Sequence, residues 1–235
     1  MKNLFASVFG GSRLQTTAYL SGGKSVVLES LVPVGRGPHP AVLLLHGSVG
    51  ATESGARFRL IMQGLAALGY AALFPHYFDC TDDDDIGVGT ARDAAIARSF
   101  LPWQEAVSDA VDTAAQMPSI DPTRIGLIGF SLGSFLALGA AGNGAPVRCV
   151  IEYCGGLPEN LHGQFETMPP VLILHGEADT TVPVTRAHEL SEALAAKLLP
   201  HEMHLYPGQG HIFSGTAEAD SIQRCREFLA RHLRI

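Results

Sequence analysis

Apolar positions along the chain fall into two kinds of segment, short unbroken runs and longer stripes at helical spacing. Residues 26–28 begin the series as a strand, residues 35–40 read as a turn, and residues 41–45 form a continuous apolar run ending at His46-Gly47. A run with no polar position is the signature of a strand buried on both faces. Residues 57–68 then carry Phe58, Ile61, Met62, Leu65 and Leu68 on a helical stripe, Gly69 offers a stop, and residues 70–74 resume as strand.

The alternation continues to the C-terminus. Helical spacing appears at Ala106, Val107, Ala110, Val111 and Ala114 within residues 103–117, followed by a turn at Asp121-Pro122 and strand runs over 125–130, 147–153 and 171–175. Residues 132–141, 183–199 and 217–233 read as helices, and 201–206 as a further strand. Strands separated by helices of this length favour right-handed crossovers and a mainly parallel sheet covered on both sides. One α/β domain over residues 1–235 explains the rhythm, with no internal repeat. Residues 79–100 interrupt it: Asp82 to Asp85 are four consecutive acids, followed by Gly87 and Gly89, so the segment reads as a solvated excursion bordering a substrate.

Composition narrows the function. The 235 residues are 46% hydrophobic and 17% charged, enough to fill a large core, and 16 basic against 23 acidic residues give a formal charge of −7. That sign disfavours a nucleic-acid partner. Cys80, Cys149, Cys154 and Cys225 lack metal-ligand spacing, and a chain of this length needs no disulfide staples, so a reducing, cytoplasmic setting is expected. Residues 4–9 form an apolar run behind Lys2 that is too short for a membrane span and lacks a cleavage site, although an export signal removed from the chain stays open. No cofactor, metal or membrane is expected, and monomer and homodimer are equally open.

Candidate chemistry centres on Gly129-Phe130-Ser131-Leu132-Gly133, which lies between a strand and a helix. Flanking glycines allow the tight turn that lifts a side-chain hydroxyl out of the backbone, the geometry of a nucleophile elbow. Ser131 is therefore expected to attack, with the Leu132 N–H at the new helix terminus stabilising the oxyanion. The remaining partners follow later strands: Asp179 to orient and His211 to accept the proton, in nucleophile–acid–histidine order. Glu177 is the competing carboxylate, Asp179 also suits a helix cap, and Ser131 could cap its own helix. The loop after residues 41–45 offers the Ser48 N–H as a second oxyanion donor, and His76, Tyr77 and Phe78 are placed at the border of the acyl pocket.

At these residues the chain resembles the dienelactone hydrolase family within the α/β-hydrolase superfamily. The likeness runs from about Val26 to the final helix through His46-Gly47-Ser48, the Ser131 elbow, His175-Gly176 with Asp179 and Val182-Pro183, and Gly210-His211. It implies an α/β-hydrolase three-layer sandwich with a mostly parallel central sheet of seven or eight strands and no large cap domain. The namesake uses a cysteine nucleophile where this chain has Ser131, an acid where it has Gly47, and substrate-holding arginines that the segment Ile212-Phe213-Ser214-Gly215 lacks. The expectation is a serine-dependent carboxylic-ester hydrolase acting through an acyl-enzyme on a small, neutral or weakly polar ester or lactone. A peptidase or amidase of the same fold, and a noncatalytic small-molecule binding protein, are the alternatives.

Overall fold

The computed structural model describes residues 13–233. The apolar run at residues 4–9 lies outside them. Eight strands form a mixed, mostly parallel sheet within an α/β three-layer sandwich, the architecture of the α/β hydrolases. The described residues divide into two compact units, one comprising residues 13–44 and Val49–Ile125, the other Leu45–Ser48 and residues 126–233.

In the first unit β1 (Leu14–Ser21) pairs antiparallel with β2 (Lys24–Leu31), β2 pairs antiparallel with β4 (Ala71–Pro75), and β4 runs parallel to β3 (His39–Leu45). The sequence pattern missed β1. Its side chains alternate only weakly and most are exposed, as suits an edge strand with one covered face. Helix α1 (Gly50–Ala67) buries Phe58, Met62 and Leu65 and stops where Gly69 takes a positive φ.

Helix α2 corrects the reading of residues 79–100. Tyr77–Thr81 form a 3-10 turn and α2 runs from Gly89 to Ala115 with Pro102 inside it, so the second half of the presumed excursion is helix. Ala91, Ala94, Ala95 and Ala97 supply the propensity there. The aspartates are spent on local contacts: Asp79 accepts from the Val27 N–H (2.9 Å), Asp82 pairs with Lys24 (2.6 Å), and Asp83 accepts from Thr81, Ser99 and Arg98. Trp103, fully buried, donates its indole N–H to Thr81 and packs on Phe78, with ring centroids 4.5 Å apart.

The second unit holds β5 from Gly126 on (the whole strand being Ile120–Phe130), β6 (Cys149–Tyr153), β7 (Val171–Gly176) and β8 (His201–Tyr206), all parallel in that order. Helices α3 (Leu132–Gly142), α4 (Thr185–Ala196) and α5 (Gly215–Leu233) follow β5, β7 and β8. Helix α5 turns Cys225, Phe228 and Leu229 inward as their spacing predicts, whereas Ile222, expected on the same stripe, is 51% exposed and Ser221 is buried in its place. Parallel strands start from one edge and finish at the other, so the loops after β5, β6, β7 and β8 share the carboxyl edge of the sheet. In open α/β sheets that edge is where ligands bind.

Candidate active site

Four loops of the second unit supply the site. After β5 the backbone turns at Ser131 with φ 54° and ψ −120°, a conformation that a side-chain-bearing residue adopts only when its surroundings enforce it. Backbone packing enforces it here. A Cβ on Gly129 would lie 2.4 Å from the Gly133 carbonyl oxygen, and one on Gly133 would lie 2.3 Å from that of Leu45, so the turn closes only with hydrogen at both positions. The Ser131 N–H is held by the Tyr153 carbonyl (2.8 Å). Gly47 approaches so closely that a Cβ there would touch the Ser131 Cβ at 3.3 Å, which puts Ser48 beside the elbow and Leu132 at the first turn of α3.

The loop after β7 carries Asp179, 7% exposed. Its Oδ1 accepts the N–H groups of Thr181 (2.7 Å) and Val182 (2.9 Å), and its Oδ2 accepts Nδ1–H of His211 at 2.7 Å. Burial pushes the carboxyl up, but the hydrogen bonds from His211, Val182 and Thr181 outweigh it and hold the group below its ordinary value. One oxygen therefore serves the loop backbone and the other the histidine, and Asp179 does not cap α4, whose N-cap is Val184 without a side-chain hydrogen bond. His175, fully buried below, donates Nε2–H to the Val182 carbonyl (2.8 Å), and burial lowers its pKa, so it stays neutral. The loop after β8 presents His211 and is tied to the Asp179 loop by the Ala178 N–H, which donates to the Gln209 carbonyl (2.8 Å).

Cys154, at the end of β6, was not singled out by the sequence reading. It is 2% exposed, has a φ of 51°, and donates its N–H to Leu174 (2.9 Å). One ligating atom each of Cys154, Asp179 and His211 lies within 4.8 Å of the others. Such a set has the reach to hold a metal ion, although the Asp179 oxygen nearest His211 is already engaged in the 2.7 Å hydrogen bond. Burial pushes the Cys154 thiol well above its ordinary pKa, and the nearby carboxylates of Glu152 and Asp179 add to that, against a smaller pull from the Gly176 N–H.

This cluster corrects the assignment of a serine-dependent ester hydrolase. The sulfur, carboxylate and imidazole form a Cys–His–Asp grouping, whereas among the described residues no hydrogen bond joins Ser131 to His211. The thiol escaped notice because its placement depends on β6 lying between β5 and β7 and on a left-handed turn. The available signal was the strand end at Tyr153 followed by Gly155-Gly156.

His76, Tyr77 and Phe78 belong to the first unit. Tyr77 and Phe78 are core side chains against Trp103, and His76 Nε2 sits 3.1 Å from the buried Glu29 carboxylate, which also takes two hydrogen bonds from Arg59. Glu177 lies exposed on the Asp179 loop.

The family model for dienelactone hydrolases matches residues 29–231. The chain belongs to the dienelactone hydrolase family. A Pseudomonas putida carboxymethylenebutenolidase is 27% identical over 195 residues, covering 78% of this chain and 79% of that one. A Methylorubrum extorquens protein provisionally named a carboxymethylenebutenolidase is 27% identical over 194 residues, covering 77% of this chain and 66% of its own length, just under two thirds. Among solved structures, a dienelactone hydrolase-like promiscuous phosphotriesterase from metagenomic libraries superposes with a TM-score of 0.83 at 19% identity, covering 94% of this chain and 98% of that one. The dienelactone hydrolase of Anabaena variabilis gives a TM-score of 0.71 at 18% identity, covering 95% and 99%. At these identities the superpositions speak to the fold. No helix among the described residues is long and apolar enough to cross a membrane.

Proposed function

We propose that the chain is a hydrolase of small organic esters or lactones in which Asp179 and His211 form the acid–base pair and the Cys154 thiol is the group they serve. The observation that carries this reading is the convergence of sulfur, carboxylate and imidazole within 4.8 Å. Burial sets its condition: the resting thiol is protonated, so its proton must pass to His211 as sulfur attacks the carbonyl carbon. The C–O π electrons move onto oxygen, with the Leu132 and Ser48 N–H groups as donors to the oxyanion. Collapse breaks the bond to the leaving oxygen, which takes the proton from His211, and water then cleaves the thioester with His211 as base. Ser131, on the elbow beside Gly47, borders the acyl group in this scheme.

The leaning toward neutral or weakly polar substrates is supported by Ile212, 67% exposed next to His211, and by the lack of a cation in Ile212-Phe213-Ser214-Gly215. A cytoplasmic setting is supported by four free thiols.

The test is hydrolysis of a graded series of nitrophenyl esters and lactones by Cys154→Ala, Ser131→Ala and wild type, with mass spectrometry of the trapped acyl-enzyme. The proposal expects the acyl mass on the peptide containing Cys154 and loss of turnover of about a thousandfold or more in Cys154→Ala. Acylation of Ser131 in a fully active Cys154→Ala variant would overturn it.

A further inference from the structure

Beside the Cys154 turn lies a carboxyl that the scheme above does not use. Glu152 lies two residues before Cys154 on β6 and is fully buried. Its Oε2 accepts the Gly155 N–H at 2.7 Å, while Oε1 has no hydrogen-bond partner. An unpartnered carboxyl oxygen in the interior is costly, and a structure that keeps one invites a reason.

The surroundings are built around it. Ser134 on α3 donates its hydroxyl hydrogen toward the Gly129 (2.8 Å) and Tyr153 (3.0 Å) carbonyls and accepts the Tyr153 N–H (3.0 Å), and it also interacts with the Glu152 carboxyl. A Cβ on Gly155 would lie 2.2 Å from the Ser134 Cβ and 3.0 Å from Glu152 Oε2, so the backbone at Gly155 is pressed directly onto this knot. Cys154, between Tyr153 and Gly155, is thereby held at positive φ by contacts on both sides, its own N–H engaged by Leu174 on β7.

We propose that Glu152 is a positioning residue whose carboxyl holds the turn at residues 154–155, and through it the Cys154 thiol, against the Asp179–His211 pair. The inference rests on the reading of Cys154 given above. In register Glu152 faces Gly129 on β5 and Ile173 on β7, Ser134 faces it from α3, and Cys154 follows just past the end of its strand, so none of these neighbours offers a cation. Burial pushes its pKa up, against the weaker pull of Gly155 and Ser134, and the hold on the turn is the 2.7 Å hydrogen bond from the Gly155 N–H.

The experiment uses the full chain and compares wild type, Glu152→Gln and Glu152→Leu. The rate of iodoacetamide modification of Cys154 is followed by mass spectrometry from about pH 6 to about pH 9, with Cys149 and Cys225 as internal controls. Glutamine keeps a carbonyl oxygen for the Gly155 N–H and cannot ionise; leucine removes the acceptor. The inference expects Glu152→Gln, which keeps the acceptor, to match wild type across this range. It expects Glu152→Leu to change Cys154 labelling about tenfold or more near pH 7 with the control thiols unmoved. Cys154 labelling in Glu152→Leu equal to wild type overturns it, as does a Glu152→Gln profile that departs from wild type about tenfold or more, and the glutamine comparison decides alone if the leucine variant fails to fold. Because the readout is thiol presentation and not turnover, a Cys154 that proves dispensable for hydrolysis defeats the functional reading without settling this one.

Discussion

The same substitution, glycine to alanine, should move stability in opposite directions at two sites, and the sign follows from what a methyl group would meet. Gly64 is an exposed residue of α1 with nothing within 4 Å of the added Cβ. Alanine there reduces the freedom of the unfolded chain and favours helix, for a gain of about 0.5–1 kcal/mol. Gly133 is the second residue of α3, where the Cβ would fall 2.3 Å from the Leu45 carbonyl oxygen and 2.5 Å from that of His46. Ordinary contact begins near 3.4 Å, so backbone must separate by about 1 Å, and neither partner is a flexible side-chain end. Overpacking of this kind costs about 1–3 kcal/mol, and a backbone partner places Gly133→Ala in the upper part of that range. For a chain of this size each kcal/mol moves Tm by about 2–4 °C. Thermal unfolding followed by circular dichroism should therefore raise Tm by about 1–4 °C in Gly64→Ala and lower it by about 5 °C or more in Gly133→Ala. A Gly133→Ala protein that melts with or above wild type would refute the account of why the elbow closes.

Asp179→Asn should reduce kcat/KM on ester substrates by about a thousandfold or more, because the amide cannot stabilise the charged imidazole; a tenfold effect would leave the pair without its assigned role. Asp179 also bears on acid stability: with its folded pKa below the unfolded value, its contribution is present above about pH 4 and is lost as pH falls through the folded value, so the asparagine variant should show a flatter acid limb in unfolding. Trp103→Ala should cost about 3–5 kcal/mol in urea titrations, since the fully buried indole is lost together with its hydrogen bond to Thr81. Arg59→Ala should cost about 1 kcal/mol, discounted because its side chain is 47% exposed, and the loss should fade as pH drops from about 4.5, the ordinary value, to about 2, the folded value of Glu29. No change in the pH dependence of unfolding would remove Glu29 from the set of carboxylates stabilising the fold.

How much of this was legible in the chain depended on whether a residue's environment was set by its neighbours in sequence or by distant strands. Strands β3 and β7 stood out because residues 41–45 and 171–175 carry no polar side chain except His175, whose ring is buried and bonded to Val182. Strand β1 was invisible because Leu14–Ser21 are mostly exposed and gain their form by pairing with β2. The four aspartates after Cys80 read as solvated because charge runs usually are; Lys24, Thr81, Ser99 and Arg98, which bind two of them, lie up to 58 residues away. The Asp179–His211 pairing, by contrast, followed from chain order alone, because both residues come just past the carboxyl ends of adjacent parallel strands.

Cys154 and Glu152 show where that logic stops. Glu152 sits on a strand the sequence identified and Cys154 one residue past its end, and each would pass in isolation for an ordinary buried residue. What gives them chemical meaning is depth in the sheet: β6 is flanked by β5 and β7, so its carboxyl end emerges among the Ser131, Asp179 and His211 loops, and the side chains there lose water on every side. Desolvation then acts in the same direction on both, keeping thiol and carboxyl protonated. For the carboxyl this suits a neutral strut. For the thiol it requires that proton transfer to His211 accompany attack, so the rate of Cys154 acylation should track the basicity of His211 and not the thiolate fraction of the free protein. Single-turnover acylation against pH distinguishes the two, since dependence on a thiol titration alone would leave His211 without a proton to accept.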